Sequence, residues 1–168
     1  VYGLRPPALD AIGLIGALRM PASQHPGLQV SVVTPDTLPP LPAAVEVALY
    51  RIAAEALANA ENHSGGAQCT LRLVLDQTAG TVRLDIIDDG KGIGTDRGTG
   101  VGLSSMRERA AELGGSLTIS PGLPGGTVVT AWRGGGDAIG EGGKRVTIEE
   151  GQSVRFNDSQ LNDLQVTR

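Results

Sequence analysis

From Val82 onward the chain alternates: Val82, Leu84 and Ile86 share one parity, Arg83 and Asp85 the other. A period of two predicts a half-buried strand. The apolar parity then runs onto Asp88, an acid placed where a core residue is expected, and Gly90, Gly92 and Gly94 follow at once in "DGKGIG". "CTLRLVLDQ" alternates in the same way just upstream, and the intervening "TAG" predicts a hairpin. Between Ala43 and His63 the period changes: Val45, Leu49, Ile52, Ala56 and Ala60 form a stripe at helical spacing, which "SGG" ends. "LSSMRERAAELGG" predicts another helix with a glycine stop, and "SLTIS" and "GTVVTAW" two strands joined by the turn "PGLPG". Nearer the start, "LRPPALDAIGLIGALRM" predicts a turn and a short amphipathic helix started by proline. "PASQHPG" reads as a loop, "LQVSVV" as a strand, and "TPDTLPPLP" as a connector that cannot lie inside a helix.

Helix, strand, helix, strand, strand, loop, helix, strand, strand is the order of an α/β protein with clustered strands. The expected architecture is a two-layer α/β sandwich, one mixed, mostly antiparallel sheet covered by helices on one face. After Arg133 the composition changes: "GGGDAIGEGGK" is a Gly-rich linker, and the rest to residue 168 carries short alternations but no assignable motif. Three segments are expected: 1–20, 21–133 and 134–168.

Forty percent of the 168 residues are apolar but only 2% aromatic, so a core must be built from Leu, Val, Ile and Ala. A net charge of −4 argues against a surface that grips nucleic-acid phosphates. One cysteine, Cys69, permits no internal disulfide and reads as a buried structural thiol. Neither a signal peptide nor an apolar run of ~18 residues is evident. The opening "VYGLRPPALD" without an initiator Met leads to the expectation of a segment from a longer protein.

Three patterns carry chemistry. Glu55, Asn59 and His63 recur every four residues on the long helix, a polar ridge within or beside the apolar stripe. An amide oxygen suits Mg²⁺, and a glutamate suits orienting or deprotonating a nucleophile. The plainer account is a helix boundary facing water. Asp88 beside flexible glycine backbone suits a flat heterocycle whose exocyclic amine donates to the carboxylate. "GTGVGL", Gly98 to Leu103, leads glycine-rich backbone into a helix N-terminus and suits phosphate, with an ordinary loop as the alternative. Together, in this order, they describe one magnesium-nucleotide site.

These motifs resemble those of GHKL-type ATPases. "RIAAEALANAENH" is similar to the N box, "DDGKGIG" to the G1 box, "GTGVGL" to the G2 box, and Gly125-Gly126-Thr127 to the final Gly-Thr element. Within that superfamily, residues 3–133 resemble the ATP-binding catalytic domain of a bacterial two-component sensor histidine kinase. "GVGLSSMRERAAELGGSLTIS" points to the subclass that pairs with helix-turn-helix response regulators. The resemblance implies the GHKL (Bergerat) fold, with 1–20 as the end of the dimerisation helix and junction and 21–133 as the catalytic domain. It implies ATP and Mg²⁺ as cofactors and Glu55 as the catalytic residue that polarises the nucleophile. Asn59 would be the Mg²⁺ ligand, Asp88 the adenine reader, and Thr127 its support, through water. His63 would lie near the phosphates. Gly90, Gly92, Gly100 and Gly102 would let a small ATP lid, the loop from Thr95 to Gly100, fold over the phosphates, and Leu103 would also contact the nucleotide.

The implied partners are the dimerisation and phosphoacceptor domain of the same kinase, a cognate response regulator and a second copy in a homodimer, with no nucleic acid. A cytoplasmic location is implied whether or not the parent is membrane-anchored. A sensor kinase phosphorylates a histidine on its dimerisation helix, yet His25 and His63, the two histidines here, lack that setting. The expectation is therefore a segment that binds ATP but cannot phosphorylate itself. The alternatives on the same fold are an anti-sigma-factor-type regulatory protein or serine kinase, and a nucleotide sensor without transfer activity.

Overall fold

The computed structural model describes residues 4–20, 24–76, 78, 80–92, 101–122 and 125–133. Helix α1 spans Pro7–Arg19 and starts on proline, whose fixed φ suits the first helical turn. It is broken once, at Gly13, where φ 67° and ψ 179° interrupt the helical run. Strand β1 (Gln29–Val33) follows, then helix α2 (Ala43–Asn59), which continues directly into a π-turn at Ala60–Ser64 and stops on left-handed Gly65. The sheet is completed by β2 (Gln68–Asp76), β3 (Thr81–Asp88), β4 (Ser116–Pro121) and β5 (Thr127–Arg133), with helix α3 (Val101–Glu112) before β4. Gly114 ends α3 with φ 68°.

The five strands lie in the order β1-β2-β3-β5-β4. β1 runs parallel to β2, and every other neighbouring pair is antiparallel. The expected mixed, mostly antiparallel sheet is therefore what forms, and both hairpins fall where the turn residues place them. The Asp76↔Thr81 pair closes the β2–β3 hairpin, and the Thr78 N–H donates to the Asp76 carboxylate at 2.9 Å.

Alternation decides which face is covered. Cys69, Leu71 and Leu73 of β2, Val82, Leu84 and Ile86 of β3, Leu117 of β4, and Val129 and Ala131 of β5 are all buried. Because these residues pair directly across the strands, they share one face. Val45, Leu49, Ile52, Ala53, Ala56 and Leu57 of α2 pack into the same core, as do Leu103, Met106 and Ala110 of α3. Leu9, Leu14, Ala17 and Leu18 bring α1 into it as well. Truncating one of the fully enclosed leucines, Leu71 or Leu84, costs about 2–5 kcal/mol in such surroundings. The opposite parity of β3 is not simply wet: Asp85 is buried there and pairs with Arg83 at 3.0 Å.

The segment before α2 is tied to it by two arginines. Arg5 reaches Asp10 and Glu46, each at 2.6 Å, while Arg51 donates to the Leu4 carbonyl at 3.1 Å.

Candidate nucleotide site

Asp88 closes β3 on the buried parity, as the alternation requires, and is itself buried. Its direct partner on β2 is Cys69. On the other side the ladder pairs Ile87 with Val128, so the next step along the same register sets Asp88 against Thr127, the buried first residue of β5. Cys69, Asp88 and Thr127 thus form a row across three strands at one end of the helix-covered face. The Gly90 N–H donates to Asp88 Oδ1 at 2.9 Å, the one donor to this carboxylate among the described residues. The second oxygen is left to serve another donor. Desolvation pushes the neighbouring Cys69 thiol up to about 12, and the charges of Asp88 and then Asp89 add to the effect.

The turn after Asp88 is held by the next residue. Asp89 Oδ1 accepts the Ala67 and Gln68 N–H groups, each at 2.9 Å, and the Asp89 N–H donates to the Gln68 carbonyl at 3.2 Å. A side chain on Gly66 would overlap that carboxylate. The β4–β5 turn crosses the same loop backbone to backbone. Gly126, at φ 86°, has no room for a Cβ, which would overlap the Asp88 carbonyl oxygen. A Cβ on Gly92, at φ 77°, would stand 2.9 Å from the Gly126 carbonyl oxygen. The glycines therefore do more than grant flexibility: they allow two loops to touch through their main chains.

The long helix meets α3 at a fourth glycine. A Cβ on Gly102 would overlap Glu55 Oε1 and lie 3.6 Å from Asn59 Nδ2. Glu55 and Asn59, both half-buried, thus converge on the first turn of α3, where N–H groups without helical partners favour anions. Leu103, one residue on, is buried in the core and anchors that turn.

His63 lies beyond the end of the α-helix. The expected ridge assumes an α-helix running through His63, whereas the chain passes into a π-turn at Ala60. His63 is exposed on that turn. Gly100 and the lid from Thr95 to Gly100 lie outside the described residues. Gly90, Gly92 and Thr127 surround Asp88 as described.

Three residues of the site and its surroundings go unmarked by the sequence patterns: Asp89, Gly66, and Glu61, whose Oε2 lies 2.6 Å from His25 Nδ1. The only sequence hint is the doubled acid in "DDG". Among the described residues no three His, Cys, Asp or Glu side chains converge as a metal cage, so a cation at Asn59 and Glu55 would draw most of its ligands from phosphate and water. That suits Mg²⁺, which takes oxygen donors and keeps several waters. Among the described residues no helix is long and apolar enough to cross a membrane.

The family model described as histidine kinase-, DNA gyrase B-, and HSP90-like ATPase matches residues 44–133. The sensor histidine kinase MctS of Rhizobium johnstonii is 33% identical over 138 residues, which cover 77% of this chain and 29% of that protein. The sensor histidine kinase LiaS of Bacillus subtilis is 42% identical over 77 residues, 45% of this chain and 21% of that protein. The chain thus spans under a third of the length of these two relatives. Among solved structures, the ATP binding domain of PrrB from Mycobacterium tuberculosis aligns with a TM-score of 0.56 at 27% identity, over 74% of this chain and 92% of that one. A histidine kinase domain from Erythrobacter litoralis, at 23% identity and a TM-score of 0.62 over 75% of this chain and 67% of that one, shares the fold.

Proposed function

The chain belongs to the histidine kinase-, DNA gyrase B-, and HSP90-like ATPase family, and on that premise we propose that it is the ATP-binding catalytic portion of a sensor histidine kinase. It binds magnesium-ATP and donates the γ-phosphoryl to a histidine on a dimerisation domain, for relay to an aspartate of a response regulator. On this reading residues 1–20 join the domain to the dimerisation helices, the working protein is a homodimer, and this portion operates in the cytoplasm.

The observation that carries the proposal is the buried Asp88 carboxylate, with one oxygen on the Gly90 N–H and the other unclaimed among the described residues. Adenine offers an exocyclic amine that donates to such an acceptor. Guanine presents a carbonyl at the equivalent place and is rejected. Thr127, next in register, supports the base edge through water. The phosphates then extend toward the first turn of α3, where Glu55 already sits. Two anionic groups at one helix end repel each other unless a cation lies between them, and Asn59, whose carboxamide lies beside Gly102, would contribute its amide oxygen to it. Mg²⁺, when bound, supplies charge neutralisation across the phosphates. Glu55 orients the incoming imidazole and accepts its proton. Gly100 and Gly102 hinge the lid that excludes water, with Gly90 and Gly92 lining the base side. Phosphoryl transfer asks for little beyond this positioning and charge.

Titration of the chain with ATP, ADP and GTP, each with and without magnesium, tests the assignment. The expected result is adenine-selective binding tightened by magnesium. Equal affinity for GTP would overturn it. The named relatives, all sensor kinases, support transfer to histidine over the anti-sigma-type alternative.

A further inference from the structure

His25 has no place in the nucleotide chemistry, yet it is firmly held. Its Nδ1 lies 2.6 Å from Glu61 Oε2, and the other oxygen of that carboxylate accepts the Gly27 N–H at 3.3 Å. Both side chains are largely shielded, with 15% of His25 and 26% of Glu61 exposed. The loop that presents the imidazole is anchored independently. The His25 carbonyl accepts the Leu28 N–H at 3.0 Å, and the Gln29 N–H donates to the Ala67 carbonyl at 2.7 Å. Leu28 itself is part of the core. Glu61, by contrast, belongs to the π-turn Ala60–Ser64, which begins on the residue after Asn59. Such turns are less favourable than the α-helix they interrupt and occur frequently at functional sites. Here the turn is fixed at three points: Ala60 in the core, Glu61 in the clasp, and left-handed Gly65 at its end.

We propose that His25 is a positioning residue for the magnesium-nucleotide site: by clasping Glu61 it holds the π-turn and so sets the direction in which Asn59 presents its carboxamide. The proposal rests on Asn59 being the cation ligand. His25 touches neither nucleotide nor metal and acts through one carboxylate and one turn of backbone. Groups that orient a metal ligand from outside commonly matter at the level of ten-fold or more in affinity.

The quantity to measure is the ratio of ATP dissociation constants without and with magnesium, on this chain. His25→Ala and Glu61→Ala are each expected to shrink that ratio roughly ten-fold, leaving magnesium-free ATP binding unchanged. The double variant should be no worse than Glu61→Ala alone, because His25 acts only through that carboxylate, whose loss also frees the Gly27 N–H. His25→Asn, whose amide nitrogen can stand where Nδ1 does, should restore the ratio. Amide hydrogen exchange across Ala60–Ser64, without nucleotide, should quicken in His25→Ala and not in His25→Asn. A magnesium effect that is present in the parent chain and survives His25→Ala would overturn the proposal alone. So would equal losses with and without the metal, or additive single-variant effects. A parent chain whose ATP affinity ignores magnesium would remove Asn59 as ligand, and this proposal with it.

Discussion

The Glu55 carboxylate lies against the α-carbon of Gly102, so closely that a single methyl group on the glycine would occupy the same space. Gly102 is helical and its φ is not positive, so the need for glycine here comes from the neighbour and not from the backbone. Gly102→Ala should therefore fold normally, since alanine favours helices by up to ~1 kcal/mol over glycine. It should displace Glu55 and slow phosphoryl transfer in the full kinase. Unchanged autophosphorylation in a normally folded variant would contradict the placement of Glu55.

Asp88→Asn keeps the shape of the side chain but removes its charge, and an amide can present its NH₂ where an acceptor is needed. A hydrogen bond to a charged group contributes ~1.5–3 kcal/mol, so ATP should bind about ten- to a hundred-fold more weakly. Calorimetric titration decides this. Asn59→Ala should instead reduce mainly the magnesium-dependent part of the affinity.

Two glycines with the same left-handed backbone should respond differently to alanine. Gly114, at φ 68°, has nothing near the added carbon, so Gly114→Ala should cost only the conformational strain of ~1 kcal/mol. Gly126, at φ 86°, faces the Asp88 carbonyl and the Gly90 nitrogen, so Gly126→Ala must separate two main chains as well. It should lose at least twice as much stability in denaturant melts and weaken ATP binding along with it.

The Cys69 thiol, raised from 9.0 to about 12 in the fold, makes a prediction with a definite sign. The unfolded chain gives up this proton near pH 9 while the folded one retains it. Its contribution to stability is therefore complete below pH 9 and is lost as pH rises toward about 12. Cys69→Ala should flatten the alkaline side of the stability profile. In the parent chain the thiol should resist alkylation at pH 8 until denaturant is added.

Much of this arrangement is legible along the chain because strands write their faces with a period of two. That period alone puts Asp88 on the buried side of β3, and the ladder with β2 and β5 agrees with it. The helix carrying Glu55 and Asn59 is equally plain. Its last turn is not: α and π turns carry the same apolar stripe over so short a stretch, and the hydrogen bonds that distinguish them leave no mark in composition. Helical spacing therefore does not reveal that His63 sits on a π-turn. The clasp between His25 and Glu61 joins residues 36 apart, a separation at which no periodicity operates. Gly66 and Gly126 look like ordinary turn residues in the sequence because what crowds them arrives from other parts of the chain.

The row formed by Cys69, Asp88 and Thr127 puts the surroundings of one acid under the control of three separate strands. On the proposed reading of Asp88, its affinity for adenine can be adjusted by exchange of a thiol on one side or a hydroxyl on the other, with the carboxylate itself untouched.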